Sequence, residues 1–408
     1  MIALTQYRAL VSRATTQSGL RSLYVTRLYS SSSAEQKADT DKENTEEKPT
    51  PTFFQRYNFK PSNIPDSPEF GTNQYISIDE EVKQRLKDVI NTFNAPIRYS
   101  FAYGSGVFQQ KGYDSKNQPM VDFIFGVTHP HHWHSLNIQQ NAHHYSMARR
   151  FGSNVTTLLQ EKVGAGVYFN PYVEVNGMMI KYGVVSIDKL CKDLLDWDTL
   201  YLAGRMHKPV KILRDDARVR LANQVNLTEA LRVALLTLPA EFSENELYEQ
   251  IAGISYKGDF RMVIGENPNK VKNIVEKQLP HFNRVYSHLL EDFPNVALLG
   301  NGRVQQDTNP KYQSLMLQKL SKNLYQKVLI EHQRYARING LKIPEEKDLL
   351  HQQIISSPDL VKYIDRGLFE IIAWPALTQS AKGIITAGPA RTGRYAGEKL
   401  KKWWHAKK

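Results

Sequence analysis

Cysteine is almost absent from this chain: Cys191 is the single one among 408 residues. That excludes an intramolecular disulfide and a cysteine-built zinc cluster, and it fits a reducing compartment. Long apolar runs are missing as well. No stretch reaches the roughly 18 apolar residues of a membrane-spanning helix. The most apolar late segment, Leu368 to Leu377, is short and contains Glu370 and Pro375. Acidic residues are absent from positions 1–34, and net charge is nearly absent from the body of the chain. Of the formal +12, residues 1–34 hold +4 and residues 382–408 hold +7, leaving +1 for everything between. A duplex-binding protein carries its basic stripe on the folded body, so nucleic acid is not an expected partner.

What is present reads as a globular protein of two to three domains, with 41% hydrophobic and 23% charged residues. Residues 1–33, rich in Arg, Ser, Thr and Leu, have the composition of a mitochondrial transit peptide, and Arg27-Leu-Tyr-Ser30 resembles a matrix-protease cleavage site. Residues 34–52 read as a disordered Glu/Lys/Asp/Thr/Pro linker. An α/β domain is expected over 53–222, a mainly helical domain over 223–380 and a basic amphipathic tail over 381–408. In the first, Asp79 caps a helix running to Phe93, Ile97 to Tyr103 and Met120 to Val127 are strands, and Asn137 to Leu159 is helical. Gly166 to Val175 and Met178 to Ser186 form a hairpin about Asn176-Gly177, two residues that tolerate positive φ. That register sets Glu174 opposite Met179 and Tyr172 opposite Lys181, with Val173, Val175, Met178 and Ile180 facing the core. Farther on, Leu227 to Leu238 and Asn267 to Leu290 are helical, the latter interrupted by Pro280, and Ser243 to Glu246 caps a helix.

The first chemical signal is a strand, then Gly104-Ser105-Gly106, then a strand opening on Asp122. Glycines after a strand let backbone N–H groups approach a phosphate, and Ser105 adds a donor. A carboxylate on the adjacent strand can hold a divalent metal against the same phosphates. The arrangement resembles the polymerase-β type of nucleotidyltransferase, with one departure. That superfamily usually places two carboxylates two residues apart, and the second position here is Ile124. Glu174, on the polar face of the hairpin, is a candidate second ligand; the alternative is a cross-strand ion pair with Lys181.

Longer motifs extend the resemblance. Phe101-Ala-Tyr-Gly-Ser-Gly-Val-Phe108, Met120-Val-Asp-Phe-Ile-Phe-Gly-Val127, His129-Pro with Trp133-His134 and Asn141-Ala-His-His-Tyr-Ser146 occur in order. So do Ile180-Lys-Tyr-Gly183, Leu202-Ala-Gly-Arg-Met-His-Lys-Pro209, Ile254-Ser-Tyr-Lys-Gly-Asp-Phe-Arg-Met262 and Gly265-Glu-Asn-Pro268. Together they resemble the mitochondrial phosphatidate cytidylyltransferase family, also called translocator assembly and maintenance proteins. The resemblance implies an α/β nucleotidyltransferase domain followed by a helical domain. It implies transfer of CMP from CTP to phosphatidic acid with Mg²⁺, giving CDP-diacylglycerol and pyrophosphate for mitochondrial cardiolipin synthesis. Expected catalytic residues are Ser105, Asp122 and Lys181. Expected nucleotide and phosphate contacts are Tyr103, Gly104, Ser105, Gly106, Arg205, His207, Lys208, Asp259 and Arg261; the metal expectation is Asp122 with Glu174. Partners would be CTP, phosphatidic acid and anionic inner-membrane lipid on the matrix side, with a homo-oligomer left open.

Other signals are less specific. His129, His131, His132, His134, His143 and His144 are half of the 12 histidines, and zinc is set against phosphate contact or plain packing. Arg205 and Lys208 are either two cations on one helical face or a solvated loop, and Asp259 with Arg261 either line a cleft or form a structural pair. In the tail, Arg391, Arg394, Lys399, Lys401, Lys402, Trp403 and Trp404 suit an interface with anionic lipid; partner docking is the alternative. Two other functions are weighed: an RNA nucleotidyltransferase, against which the neutral body speaks, and a non-catalytic membrane assembly factor.

Overall fold

Helix α1 (Glu80–Asn91) starts at Asp79, whose side chain accepts from the Val82 N–H, and it buries Leu86, Val89 and Ile90. The computed structural model describes residues 69–108, 120–146, 150–262 and 269–388, with Gly393 and Gly397. The transit peptide, the linker and tail residues Arg391, Arg394, Lys399, Lys401, Lys402, Trp403 and Trp404 lie outside the described residues.

Five strands, β1 (Tyr99–Tyr103), β2 (Val121–Val127), β3 (Tyr168–Val175), β4 (Met178–Ser186) and β5 (Lys211–Arg214), form one mixed sheet in the order β3-β4-β2-β1-β5. Strands β2 and β4 pair parallel; the other neighbours are antiparallel. Alternation sends Val121, Phe123, Phe125, Val173, Val175, Met178, Ile180, Tyr182 and Val184 into one core with Leu86, Val89, Ile90, Phe93 and Trp133. The opposite face carries Tyr103, Asp122 and Lys181.

The hairpin turns at Asn176 (φ 50°) and Gly177 (φ 72°), with Glu174 opposite Met179. Tyr172 is not opposite Lys181. The register shifts between Asn170 and Val173, where Pro171 has no N–H for the ladder and Tyr172 takes φ 53°.

The helix expected from Asn137 to Leu159 is two helices. Helix α2 (Pro130–Gln140) ends at Asn141, which leaves helical geometry (φ −129°, ψ 48°) and donates its side-chain amide to Asn137 Oδ1 at 2.9 Å. A 3₁₀ turn, Ala142–His144, follows, and α3 (Gly152–Lys162) then begins at a glycine with φ 74°. Helices α4 (Ile187–Asp196) and α5 (Ala203–Met206) lead into β5.

Helix α6 (Ala217–Thr237) begins six residues before Asn223 and buries Asn223 and Asn226 with its apolar residues. A small sheet, β6 (Glu241–Ser243), β7 (Val296–Gly300) and β8 (Arg303–Gln306), has the order β6-β8-β7. Ser243 and Glu246 form the expected capping box at the start of α7 (Glu244–Gly253). Helix α8 (Lys270–Glu291) kinks at Gln278, two residues before Pro280, which removes an N–H from the ladder. Helices α9 (Pro310–Gln318), α10 (Lys322–Ile338), α11 (Lys347–Ile355) and α12 (Leu360–Ala387) complete the chain; α12 packs along α10 and also reaches β3. Among the described residues no helix is long and apolar enough to cross a membrane.

Candidate active site

Three neighbouring strands set Tyr103, Asp122 and Lys181 in one row, because Tyr103 pairs with Asp122 and Asp122 with Lys181. Paired residues project from the same face. Lys181 Nζ lies 3.3 Å from Asp122 Oδ1 and 4.7 Å from the centre of the Phe169 ring. Apart from that ion pair, Asp122 Oδ1 is enclosed by protein and accepts no hydrogen bond among the described residues. Strand β1 runs into Gly104 at φ 86°, a conformation glycine adopts without strain. Val107 and Phe108 return their N–H groups to Gly104 O at 3.1 and 3.4 Å. A Cβ on Gly104 would stand 3.8 Å from Asp122 Oδ2, so turn and carboxylate are immediate neighbours. Ser105 is exposed at the tip of the turn.

Arg205 enters from α5. Its Nε donates to Tyr103 Oη at 3.2 Å, its Nη1 donates to Tyr201 O, and its guanidinium lies 3.8 Å from the Tyr201 ring centre. One turn on, Lys208 donates to Gly204 O and to Ser255 Oγ (2.9 Å), 5.0 Å from the Tyr256 ring centre. Lys270, at the start of α8, lies 5.0 Å from the same ring. Gly204 permits this approach: a Cβ there would fall 2.3 Å from Ser255 Cβ. Asp259, buried, accepts from Arg261 Nε (2.8 and 3.0 Å) and Nη2 (2.5 Å), so these two residues form a forked pair.

The charges interact through Tyr201. Burial alone would raise its phenol pKa, but the positive charges of Arg205, Arg261 and Lys181 outweigh burial and hold it below the ordinary tyrosine value. Burial first, then the Asp122 carboxylate, push Tyr103 the other way. Lys208 is lowered to about 7 by burial and by the neighbouring Arg205 and Lys270. The result is a carboxylate beside a glycine turn with Lys181 at 3.3 Å and Arg205 within electrostatic reach, from which a row of cations continues through Lys208 to Lys270, with Arg261 paired with Asp259. Such a set can neutralise a polyphosphate.

The structure sets other expected residues apart from this cluster. His207 is fully buried; its Nε2 bonds to Asn226 Oδ1 at 2.9 Å, and burial lowers its pKa to about 3. Glu174 is exposed on β3, two pairs along the hairpin from Lys181, which instead faces Asp122. His134 spends both ring nitrogens on Tyr145 Oη and Gln160 Oε1, each at 2.8 Å, and His144 bonds Tyr182 Oη at 3.0 Å. Among the described residues no three His, Cys, Asp or Glu side chains converge as a metal site.

Sequence reasoning missed Tyr201, Ser255, Tyr256 and Lys270. It also missed Asp193, whose carboxylate accepts from Thr199 N (2.7 Å), Thr199 Oγ1 (2.8 Å), Leu202 N (2.9 Å) and Ala203 N (3.0 Å). That fixes the segment carrying Tyr201 and Arg205. Tyr201 and Ser255 do stand beside or inside the quoted motifs, and that adjacency was the available signal.

A family profile described as "Phosphatidate cytidylyltransferase, mitochondrial" matches residues 86–402. Curated proteins of the same name are similar to the chain. The Xenopus laevis protein is 44% identical over 323 residues, covering 78% of this chain and 94% of its own length. The Schizosaccharomyces pombe protein is 42% identical over 341 residues, covering 81% and 86%. The Saccharomyces cerevisiae protein is 44% identical over 278 residues, covering 66% and 70%.

Proposed function

This chain belongs to the mitochondrial phosphatidate cytidylyltransferase family, and on that premise we propose how the Asp122 cluster carries the nucleotidyl transfer. A phosphate oxygen of phosphatidic acid attacks the α-phosphorus of CTP. The bond from that phosphorus to the bridging β-phosphate oxygen breaks, and CDP-diacylglycerol and pyrophosphate leave. Phosphatidate is already ionised at neutral pH, so no strong general base is required. What the protein supplies is alignment and charge neutralisation.

The Gly104-Ser105-Gly106 turn, with Tyr103 at its root, receives the triphosphate. Arg205 and Lys208 take the leaving pyrophosphate, and Lys181 orients Asp122. Arg261, held by Asp259, adds a positive charge beside Tyr201. His207 acts through packing, by supporting the segment that carries Arg205 and Lys208. Mg²⁺, held by Asp122 with phosphate oxygens and water, would supply Lewis-acid charge at the α-phosphate. This fits the donor set: Mg²⁺ is commonly held by one or two carboxylates plus substrate phosphates. Asp122 Oδ1, ion-paired with Lys181 at 3.3 Å but accepting no hydrogen bond among the described residues, keeps acceptor capacity for it. Glu174, exposed and two pairs along the hairpin from Lys181, is given no part in holding the ion.

The mixed sheet with a Gly-Ser turn between β1 and β2 supports a polymerase-β-type nucleotidyltransferase fold. The product would feed cardiolipin synthesis, with the enzyme peripheral on the matrix side of the inner membrane and the basic tail on anionic lipid.

One observation carries the reading: the 3.3 Å Lys181–Asp122 pair stands beside a positive-φ glycine turn. The test is product analysis with labelled CTP, Mg²⁺ and phosphatidic acid. Asp122→Asn is expected to cut CDP-diacylglycerol formation by at least about 100-fold, and Ser105→Ala by a smaller factor, with melting temperatures close to wild type. Full activity of Asp122→Asn sinks the site assignment.

A further inference from the structure

Helix α3 exposes apolar residues and buries two polar ones. Val155 and Leu158, three apart on one helical face, are 36% and 57% exposed, and Phe151, the residue just before the helix, is 63% exposed. Lys162 continues the stripe, and Val163 beyond it is 37% exposed. Two polar residues of the same helix point inward, while Asn154 and Lys162 are exposed with the apolar residues. Thr156 and Gln160 are fully buried; Thr156 Oγ1 donates to Gly152 O at 3.0 Å, and Gln160 bonds His134. A surface helix in water normally has the reverse arrangement, and an exposed apolar stripe marks an interaction surface.

The rim of this stripe is basic. Arg150 and Lys162 stand exposed at its two ends. Glu161, the acid of the helix, accepts from Gln160 Nε2 at 2.8 Å and is half-buried. The end of α12 lies alongside: Lys382 Nζ donates to Leu159 O (3.2 Å) and Val163 O (2.5 Å), and Ser146 Oγ donates to Thr386 O. On that segment Ile384 is 58% exposed. The chain leaves from there into 20 further residues that hold seven Lys or Arg against Glu398. An apolar stripe with basic ends, beside the origin of a polybasic segment, complements an acidic leaflet.

We propose that the outer face of α3, Val155 and Leu158, together with Phe151 at its start, inserts into an anionic lipid bilayer as a contact of the folded body separate from the tail. The idea goes beyond the catalytic reading, and bilayer binding is measured without turnover, so the two stand or fall separately. Cys191 is buried and is the chain's single cysteine, so Leu158→Cys offers one accessible thiol. An environment-sensitive dye on that thiol is expected to shift to the blue with vesicles of phosphatidylcholine and phosphatidylglycerol. Quenching by a lipid-borne quencher should accompany the shift. In flotation with the same vesicles, full-length Leu158→Glu should partition about tenfold less than wild type, and Leu158→Trp should partition as well or better. Absence of the shift, or equal partitioning of Leu158→Glu, overturns the proposal. So does a blue shift that appears without lipid and grows with protein concentration, which would assign the face to a second copy. Should Leu158→Glu misfold, the dye on Leu158→Cys still decides.

Discussion

Arg205 shows why residue type matters more than charge at this site. Its planar group stacks on Tyr201 while one edge bonds Tyr103 Oη and another the Tyr201 carbonyl. A lysine ammonium cannot stack flat and bridge both. Arg205→Lys is therefore expected to lower kcat/KM by about ten- to thirtyfold, on the order of 1–2 kcal/mol, measured with labelled CTP at saturating phosphatidate. Lys208 gives a prediction of proton stoichiometry. Burial and the neighbouring cations hold its pKa at about 7 in the free protein. A bound triphosphate favours the charged form and raises it. At pH 8 the lysine is mostly neutral before binding and mostly charged after, so CTP binding should take up a proton. Below about pH 6 the uptake should vanish, because the group is already charged. Calorimetry in buffers of different ionisation enthalpy reads this directly; Lys208→Arg should abolish it, and unchanged uptake in that variant refutes the assignment. Asp122, Lys181, Arg205 and Lys208 were legible as residue types with an obvious use for phosphate. Tyr201 was not, because a tyrosine gains a role here only from the three cations that the fold brings around it.

Elements differed in legibility for physical reasons. The capping box at Ser243 and the Asn176-Gly177 turn were readable because their signals are local: a side chain meets a backbone three residues away, or a residue tolerates positive φ. The hairpin bulge and the break between α2 and α3 were not. Periodicity persists across Asn141 although the backbone leaves the helix there, and Pro171 shifts a register that alternation alone extrapolates straight through. The segment between α4 and α5 is the sharpest case. Trp197 and Leu200 sit at φ 53° without being glycine, an unfavourable conformation for large side chains. Asp193 offsets that cost with its four accepted hydrogen bonds, two of them at the start of α5. Asp193→Ala strands those donors in a buried place. We expect a loss of about 3 kcal/mol in urea unfolding and a fall in kcat/KM larger than that of a surface variant of equal stability. A stable Asp193→Ala with wild-type turnover would show that the turn holds itself.

At the scale of the molecule, α12 ties distant parts together. Its start packs on α10, Asp365 pairs with Lys257 at 2.6 Å, and Gln379 accepts from Ala165 N (3.1 Å) and donates to Val167 O (3.0 Å). The sequence reading placed Lys382 in the basic amphipathic tail, yet it is 3% exposed, donating to the last carbonyls of α3. A lone lysine near a basic terminus carries no local sign of burial; only the packing of α12 against α3 encloses it. A truncation that tests the tail must therefore cut beyond residue 388, since cutting at 381 also removes a packed helix end. Burial lowers the Lys382 pKa to about 7, with Glu161 opposing, against roughly 10.4 in an unfolded chain. Between those values the unfolded chain binds more protons than the folded one, so this lysine makes stability rise as pH increases from about 7 to about 10. Lys208 contributes with the same sign, so the test must be differential. Lys382→Met, which keeps the stem and deletes the charge, should reduce the gain in unfolding free energy between pH 7 and pH 9. The reduction should be on the order of 2 kcal/mol relative to wild type. Urea titrations of both proteins at the two pH values measure it. If the two pH dependences run parallel, Lys382 is charged in the folded protein throughout, and the carbonyls of α3 hold it as an ammonium.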